Sequence, residues 1–128
     1  MSTRRTVLVV EDNDANFALM QRLLESTGLW TIVRATRVTE AEAELARGKP
    51  AAMLLDLDLP DTDGLTLARR VKADAALRDI PIVVVSASVM KQERDRAEAA
   101  GCEYFVEKPF DIDRLRSVVA EAAGPSPA

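Results

Sequence analysis

Asp56 closes the apolar run Ala51-Ala52-Met53-Leu54-Leu55. An ionised carboxylate at the end of a buried segment is costly unless it is paired or bound to a metal. Three other apolar runs end in the same polar way. Val7-Leu8-Val9-Val10 leads into Glu11-Asp12, Ile82-Val83-Val84-Val85 into Ser86, and Tyr104-Phe105-Val106 into Glu107-Lys108-Pro109. Strands that deliver acid, hydroxyl and ammonium at one end describe one site. Glu11, Asp12 and Asp56 would repel each other in one cleft unless a hard cation sat among them. Mg²⁺ suits such a set, because it takes oxygen ligands and typically uses one or two protein carboxylates. An aspartate can also attack phosphorus and form an acyl phosphate. Phosphoryl transfer asks mainly for positioning and charge neutralisation. Lys108 could neutralise one phosphoryl oxygen and the Ser86 hydroxyl could bond another.

Bulk properties narrow the classes of function. The chain has 128 residues, 48% apolar and 30% charged, which fits one globular domain with its own core. A net charge of -4 argues against a nucleic-acid footprint, which is normally basic. The lone Cys102 excludes an internal disulfide framework and suits a reducing compartment. The basic start Met1-Ser2-Thr3-Arg4-Arg5 is followed by too short an apolar stretch for a signal peptide, and no run reaches membrane-spanning length. The expected address is the cytosol. Histidine is absent. This removes Ser-His-Asp catalysis, His-ligated zinc and any phosphohistidine carried by the chain itself.

The elements that must position these groups alternate five times. Thr6 to Val10 reads as a strand, and Asp14 to Ser26 as a helix with Phe17, Leu19, Met20, Leu23 and Leu24 at helical spacing. Trp30 to Val33 is a second strand, followed by a helix from Thr39 to Arg47. Ala51 to Leu57 is the third strand, and Pro60-Asp61-Thr62-Asp63-Gly64 is a loop by composition. A helix from Leu65 to Ala73 buries Leu65, Leu67, Ala68 and Val71. Ile82 to Val85 is the fourth strand, Lys91 to Ala100 a charged helix, and Tyr104 to Val106 the fifth strand. Asp111 to Ala122 forms a last helix with Ile112, Leu115, Val118 and Val119 on its apolar face. Residues 1–124 are expected to form the single domain, with a core of about 6–122; residues 125–128 read as a disordered tail. Five β-α units imply a doubly wound α/β fold: a parallel sheet covered by helices on both faces. Ligands of such sheets bind beyond the carboxyl ends of the strands, where all four polar endings fall.

The ordered set Glu11-Asp12, Asp56, Pro60 with Gly64, Ser86-Ala87 and Lys108-Pro109 resembles the receiver domain of bacterial two-component response regulators. The resemblance extends from about Thr6 to Ala122. It implies a flavodoxin-like five-stranded sheet in the order 2-1-3-4-5. It further implies that Asp56 is the phosphoacceptor and that Asp12 ligates Mg²⁺, with Glu11 assisting directly or through water. Asp58 would contribute its backbone carbonyl to the metal. Ser86 would be the switch hydroxyl, Lys108 the phosphate-pairing cation and Phe105 the switch aromatic. A cis Lys108-Pro109 bond is implied as well, and Asp58 and Ser88 would flank the approach of a hydrolytic water. The implied donor is a sensor histidine kinase or histidine phosphotransfer protein acting in trans. The implied readout is a downstream protein that senses the surface of the fourth helix, fifth strand and fifth helix. With no output domain expected after Ala122, partner binding or onward phosphotransfer would carry the signal.

Two other readings use the same residues. Asp56-Leu57-Asp58 has the Asp-x-Asp form of haloacid-dehalogenase-type phosphohydrolases, although that family carries it on the first strand. A phosphorylation-independent scaffold is the other, but a scaffold has no need to hold repelling carboxylates together.

Overall fold

The computed structural model describes residues 5–57, 64–87, 90–108 and 111–124. Ten elements alternate along it: β1 (Arg5–Val10), α1 (Asp14–Glu25), β2 (Trp30–Ala35), α2 (Val38–Arg47), β3 (Ala52–Asp56), α3 (Gly64–Ala73), β4 (Ile82–Ser86), α4 (Lys91–Ala99), β5 (Tyr104–Glu107) and α5 (Ile112–Ala123). The strands form one parallel sheet in the order β2-β1-β3-β4-β5. This is the flavodoxin-like receiver fold expected above.

Alternation along the strands decides which face each side chain enters. Leu8, Val10, Met53, Leu55, Ile82 and Val84 point into a core layer closed by α2, α3 and α4. Val7, Val9, Leu54, Val83, Val85 and Val106 point the other way, against α1 and α5. β3 and β4 lie in the middle of the sheet, covered on both faces, and every residue of both is buried. Continuous apolar runs such as Met53-Leu54-Leu55 follow from that double coverage.

The strand ends are held in line. Val10 pairs with Ala35 and Leu55, Asp56 with Val85, and Ser86 with Glu107. The ladder continues one residue further at three places. Glu11 N donates to Ala35 O (2.9 Å), Leu57 N to Val85 O (3.1 Å) and Lys108 N to Ser86 O (2.8 Å).

Differences from the sequence reading are local. β2 runs two residues past Val33, to Ala35. Leu19 and Ile112, expected on apolar faces, are exposed. Leu19 sits at the flank of an α1 stripe formed by Met20, Leu23 and Leu24. Ile112 occupies the first turn of α5, before Leu115, the first α5 side chain in the core.

At the amino-terminal end of the strands, Arg5 opens β1 and caps the last turn of α5. Its Nη1 donates to Ala123 O (2.7 Å) and its Nη2 to Gly124 O (2.6 Å). No helix among the described residues is long and apolar enough to cross a membrane.

Candidate functional site

The site sits at the carboxyl ends of β1, β3, β4 and β5, beside the point where the strand order reverses between β1 and β3. Glu11, one residue past β1, continues the side-chain direction of Val9. Asp56 continues that of Leu54, and Lys108 that of Val106, so all three project toward the α1 and α5 side of the sheet. Parity brings the two acids and the ammonium together. Lys108 Nζ lies 3.2 Å from Asp56 Oδ1 and 3.5 Å from Glu11 Oε1. Both carboxylates are essentially inaccessible to solvent.

Asp12 is exposed and completes an acidic triangle. One carboxylate oxygen from each of Glu11, Asp12 and Asp56 lies within 4.8 Å of the others. Behind them the chain turns into α1. Asn13 N donates to Glu11 Oε2 (3.2 Å), and the Asn13 side chain caps the helix by accepting from Asn16 N (2.9 Å). Glu11 Oε1 is buried and accepts no hydrogen bond. Burial pushes the Glu11 carboxyl from the usual 4.5 up to about 7, assisted by the adjoining Asp56 carboxyl, which favours a proton held between them. The Asn13 amide and the Lys108 ammonium pull the other way. Glu11 Oε1 has the Lys108 ammonium at 3.5 Å but no hydrogen bond, and a buried oxygen of that kind among three carboxylates fits a hard divalent cation such as Mg²⁺.

Ser86, the last residue of β4, is buried and carries the opposite parity, that of Ile82 and Val84. Its carbonyl accepts from Lys108 N, so the serine and lysine loops are tied by the backbone. Phe105 shares the face of Ser86. It is half-buried against the α3 and α4 layer and does not enter the acidic cluster. Arg94 of α4 covers it, with Cζ 5.1 Å from the ring centroid, and reaches Glu107 at 3.8 Å. Gly64 opens α3 directly behind β3. A Cβ there would stand 3.2 Å from Asp56 O and 3.3 Å from Leu55 Cδ1. The expectations for Asp58, Pro60, Ser88, the Lys108-Pro109 bond and residues 125–128 lie outside the described residues.

Sequence reasoning passed over Arg34, and took Arg94 only as one member of the charged helix Lys91 to Ala100. Arg34 Nε donates to Glu11 O (3.1 Å), and its Nη2 donates to Asp12 O (3.2 Å) and Asp14 Oδ1 (2.8 Å). Its Cζ stands 4.8 Å over the Phe17 ring. Neither arginine lies in a motif, and most of their partners are carbonyls and rings that carry no sequence signal.

With this geometry in view, the relatives are informative. The chain matches the family model described as response regulator receiver domain over residues 7–120. It is 35% identical over 121 residues to the polar-differentiation response regulator DivK of Brucella anthropi, covering 94% of this chain and 97% of that protein. The protein therefore belongs to the response regulator receiver domain family of two-component signalling. Among solved structures it resembles the phosphorylated cyanobacterial phytochrome response regulator RcpA, at 28% identity and a TM-score of 0.80, covering 93% of this chain and 91% of that one. It also resembles the receiver domain of a sensor histidine kinase from Pseudomonas aeruginosa PAO1, which has magnesium coordinated in its active site cleft. That match has 26% identity and a TM-score of 0.86, covering 96% of this chain and 100% of that one. Receiver domains are signalling switches rather than enzymes.

Proposed function

We propose that this chain is a phosphorylation-controlled switch in which Asp56 accepts a phosphoryl group from a phosphohistidine on another protein. The observation that carries the reading is the trio Glu11, Asp12 and Asp56, held within 4.8 Å with Lys108 bridging two of its members. Such an arrangement is unfavourable at rest and becomes useful when a cation and a phosphoryl group enter. Bound Mg²⁺ would supply charge neutralisation at the phosphoryl oxygens, held by Glu11, Asp12 and Asp56, with Asp58 offering its carbonyl.

The chain's own groups do the rest. An Asp56 carboxylate oxygen attacks phosphorus, the P–N bond of the donor breaks, and its electron pair returns to the imidazole nitrogen. Lys108 turns its ammonium to a phosphoryl oxygen, and Ser86 donates its hydroxyl to another. The new acceptor oxygens bias a two-state equilibrium. Ser86 moves toward the site, and Phe105, on the same face, repacks beneath Arg94. The surface of α4, β5 and α5 then presents a different shape to a downstream protein. The donor is a sensor histidine kinase or a histidine phosphotransfer protein. It acts in trans, since the chain has no histidine.

The test is intact-mass spectrometry after incubation with an acyl phosphate donor and Mg²⁺. The native chain should gain one phosphoryl group and Asp56→Asn none. A stable phosphoryl group on Asp56→Asn would overturn the assignment.

A further inference from the structure

We infer that Arg34 is a positioning residue for the cation site: by gripping the backbone of Glu11 and Asp12 it sets the divalent-cation affinity of the acidic cleft. This rests on the reading of Glu11, Asp12 and Asp56 as a Mg²⁺ site.

Arg34 lies in β2 opposite Val9 of β1. Its side chain is only 25% exposed. Nε holds Glu11 O, and Nη2 is shared between Asp12 O and the Asp14 carboxylate. The Phe17 ring supports the guanidinium plane from below. The neighbouring Ala35 carbonyl takes Glu11 N. Glu11 is thus fixed to β2 through both its amide and its carbonyl. Asp12 has an exposed side chain, and the hold on its carbonyl fixes the backbone from which that side chain departs.

The physical reason is preorganisation. Three carboxylates without a cation relieve their repulsion most easily by letting the exposed one swing away. Turning of the peptide after Glu11 would carry the whole of Asp12 away from the cluster, and the Arg34 bonds to the Glu11 and Asp12 carbonyls oppose that turn. A cation then meets ligands already converged and does not have to order them, which favours binding. Groups behind metal ligands commonly affect metal affinity by about 10–100-fold when removed. The positive charge of Arg34 would act in the opposite sense, repelling a cation through space. Asp14, at 2.8 Å, largely neutralises it. Position therefore outweighs charge. A lysine would keep the charge but lacks the planar fork that reaches two carbonyls and a carboxylate together.

The experiment is a calorimetric titration of the chelator-treated chain with Mg²⁺ alone, paired with unfolding in Mg²⁺-free buffer. Arg34→Lys and Arg34→Ala should raise the Mg²⁺ Kd by about 10-fold, the low end of the range above. Asp14→Asn, which removes the outer anchor at an exposed position, should raise it by a smaller factor. In phosphorylation by an acyl phosphate, the Mg²⁺ concentration for half-maximal rate should rise in step, while the rate at saturating Mg²⁺ stays close to native. Native Kd in both Arg34 variants, with or without lost stability, would overturn this inference alone. Tighter Mg²⁺ binding in Arg34→Ala would also overturn it, because charge would then outweigh position. Absence of Mg²⁺ binding by the native chain would overturn the metal site and this inference together.

Discussion

Glu11 bears the strain of the acidic cleft. Its carboxyl is raised to about 7 because it is buried and adjoins Asp56. A carboxyl whose folded value exceeds its unfolded one binds protons more tightly when folded. It contributes stability below the unfolded value near 4.5, and that contribution is lost as pH rises through about 7. Tenfold in proton affinity is about 1.4 kcal/mol, so the swing is on the order of 3 kcal/mol in Mg²⁺-free protein. Glu11→Gln cannot titrate. Relative to the native chain it should gain roughly 1–3 kcal/mol in going from about pH 5 to about pH 8, measured by urea unfolding in chelator. Mg²⁺ affinity of the native chain should rise over the same interval, since the cation competes with that proton. At this scale the acids, Ser86 and Lys108 were legible because each follows an apolar run and is the wrong residue type to bury alone. Arg34 and Arg94 were not, because an arginine in a strand or on a charged helix gives no hint of which carbonyl or ring it covers.

Two joints between elements set how firmly the strand ends are held. At the first, α3 starts so close to β3 that a Cβ on Gly64 would stand 3.2 Å from Asp56 O, tighter than an ordinary contact. The obstacle is the backbone of a fully buried strand, which would have to shift by a few tenths of an ångström. Gly64→Val should therefore destabilise by roughly 1–3 kcal/mol in urea unfolding. It should also slow phosphorylation of Asp56 by moving the end of β3. At the second joint, far from the acids, Lys72 of α3 donates to Arg78 O, Ile80 O and the Glu103 carboxylate, and Glu103 in turn accepts from Ile82 N. The Lys72 stem fills the space that a Cβ on Gly101 would need, and Gly101 itself has φ +95°. Lys72→Met should lose on the order of 1–3 kcal/mol by chemical denaturation while leaving the Mg²⁺ Kd unchanged. It is thus a stability control for the Arg34 variants. The elements themselves were readable from periodicity, and their bounds shifted where tertiary contacts decide. β2 extends through Arg34 because the charged head leaves the sheet to hold the turn after β1. Ile112 kept the apolar spacing of α5 but lies in a first turn outside the core.

For the whole molecule, alternation of strand and helix patterns implied a parallel sheet covered on both faces. It could not supply the neighbour order, because nothing in a run such as Val7-Leu8-Val9-Val10 says which strand lies beside it. That order came with the family resemblance carried by the site residues. The two core layers explain why the resemblance is informative. Glu11, Asp56 and Lys108 share one parity while Ser86 and Phe105 share the other, so the acids and the lysine lie on one face and the proposed switch pair on the other. The contact of Arg5 with Ala123 and Gly124 has a separate consequence for chain topology. It brings residues 5 and 124 together at the amino-terminal end of the strands, remote from Asp56, so the order in which the segments are threaded is not tied to the phosphoryl chemistry. A circular permutant that joins 124 to 5 through a short Gly-Ser linker, and opens instead between the exposed Gly48 and Lys49, should fold and accept phosphate at Asp56 at a near-native rate. Intact-mass spectrometry of the permutant would check it, and a rate lower by about tenfold or more, roughly 1.4 kcal/mol in barrier, would show that the break reaches the site.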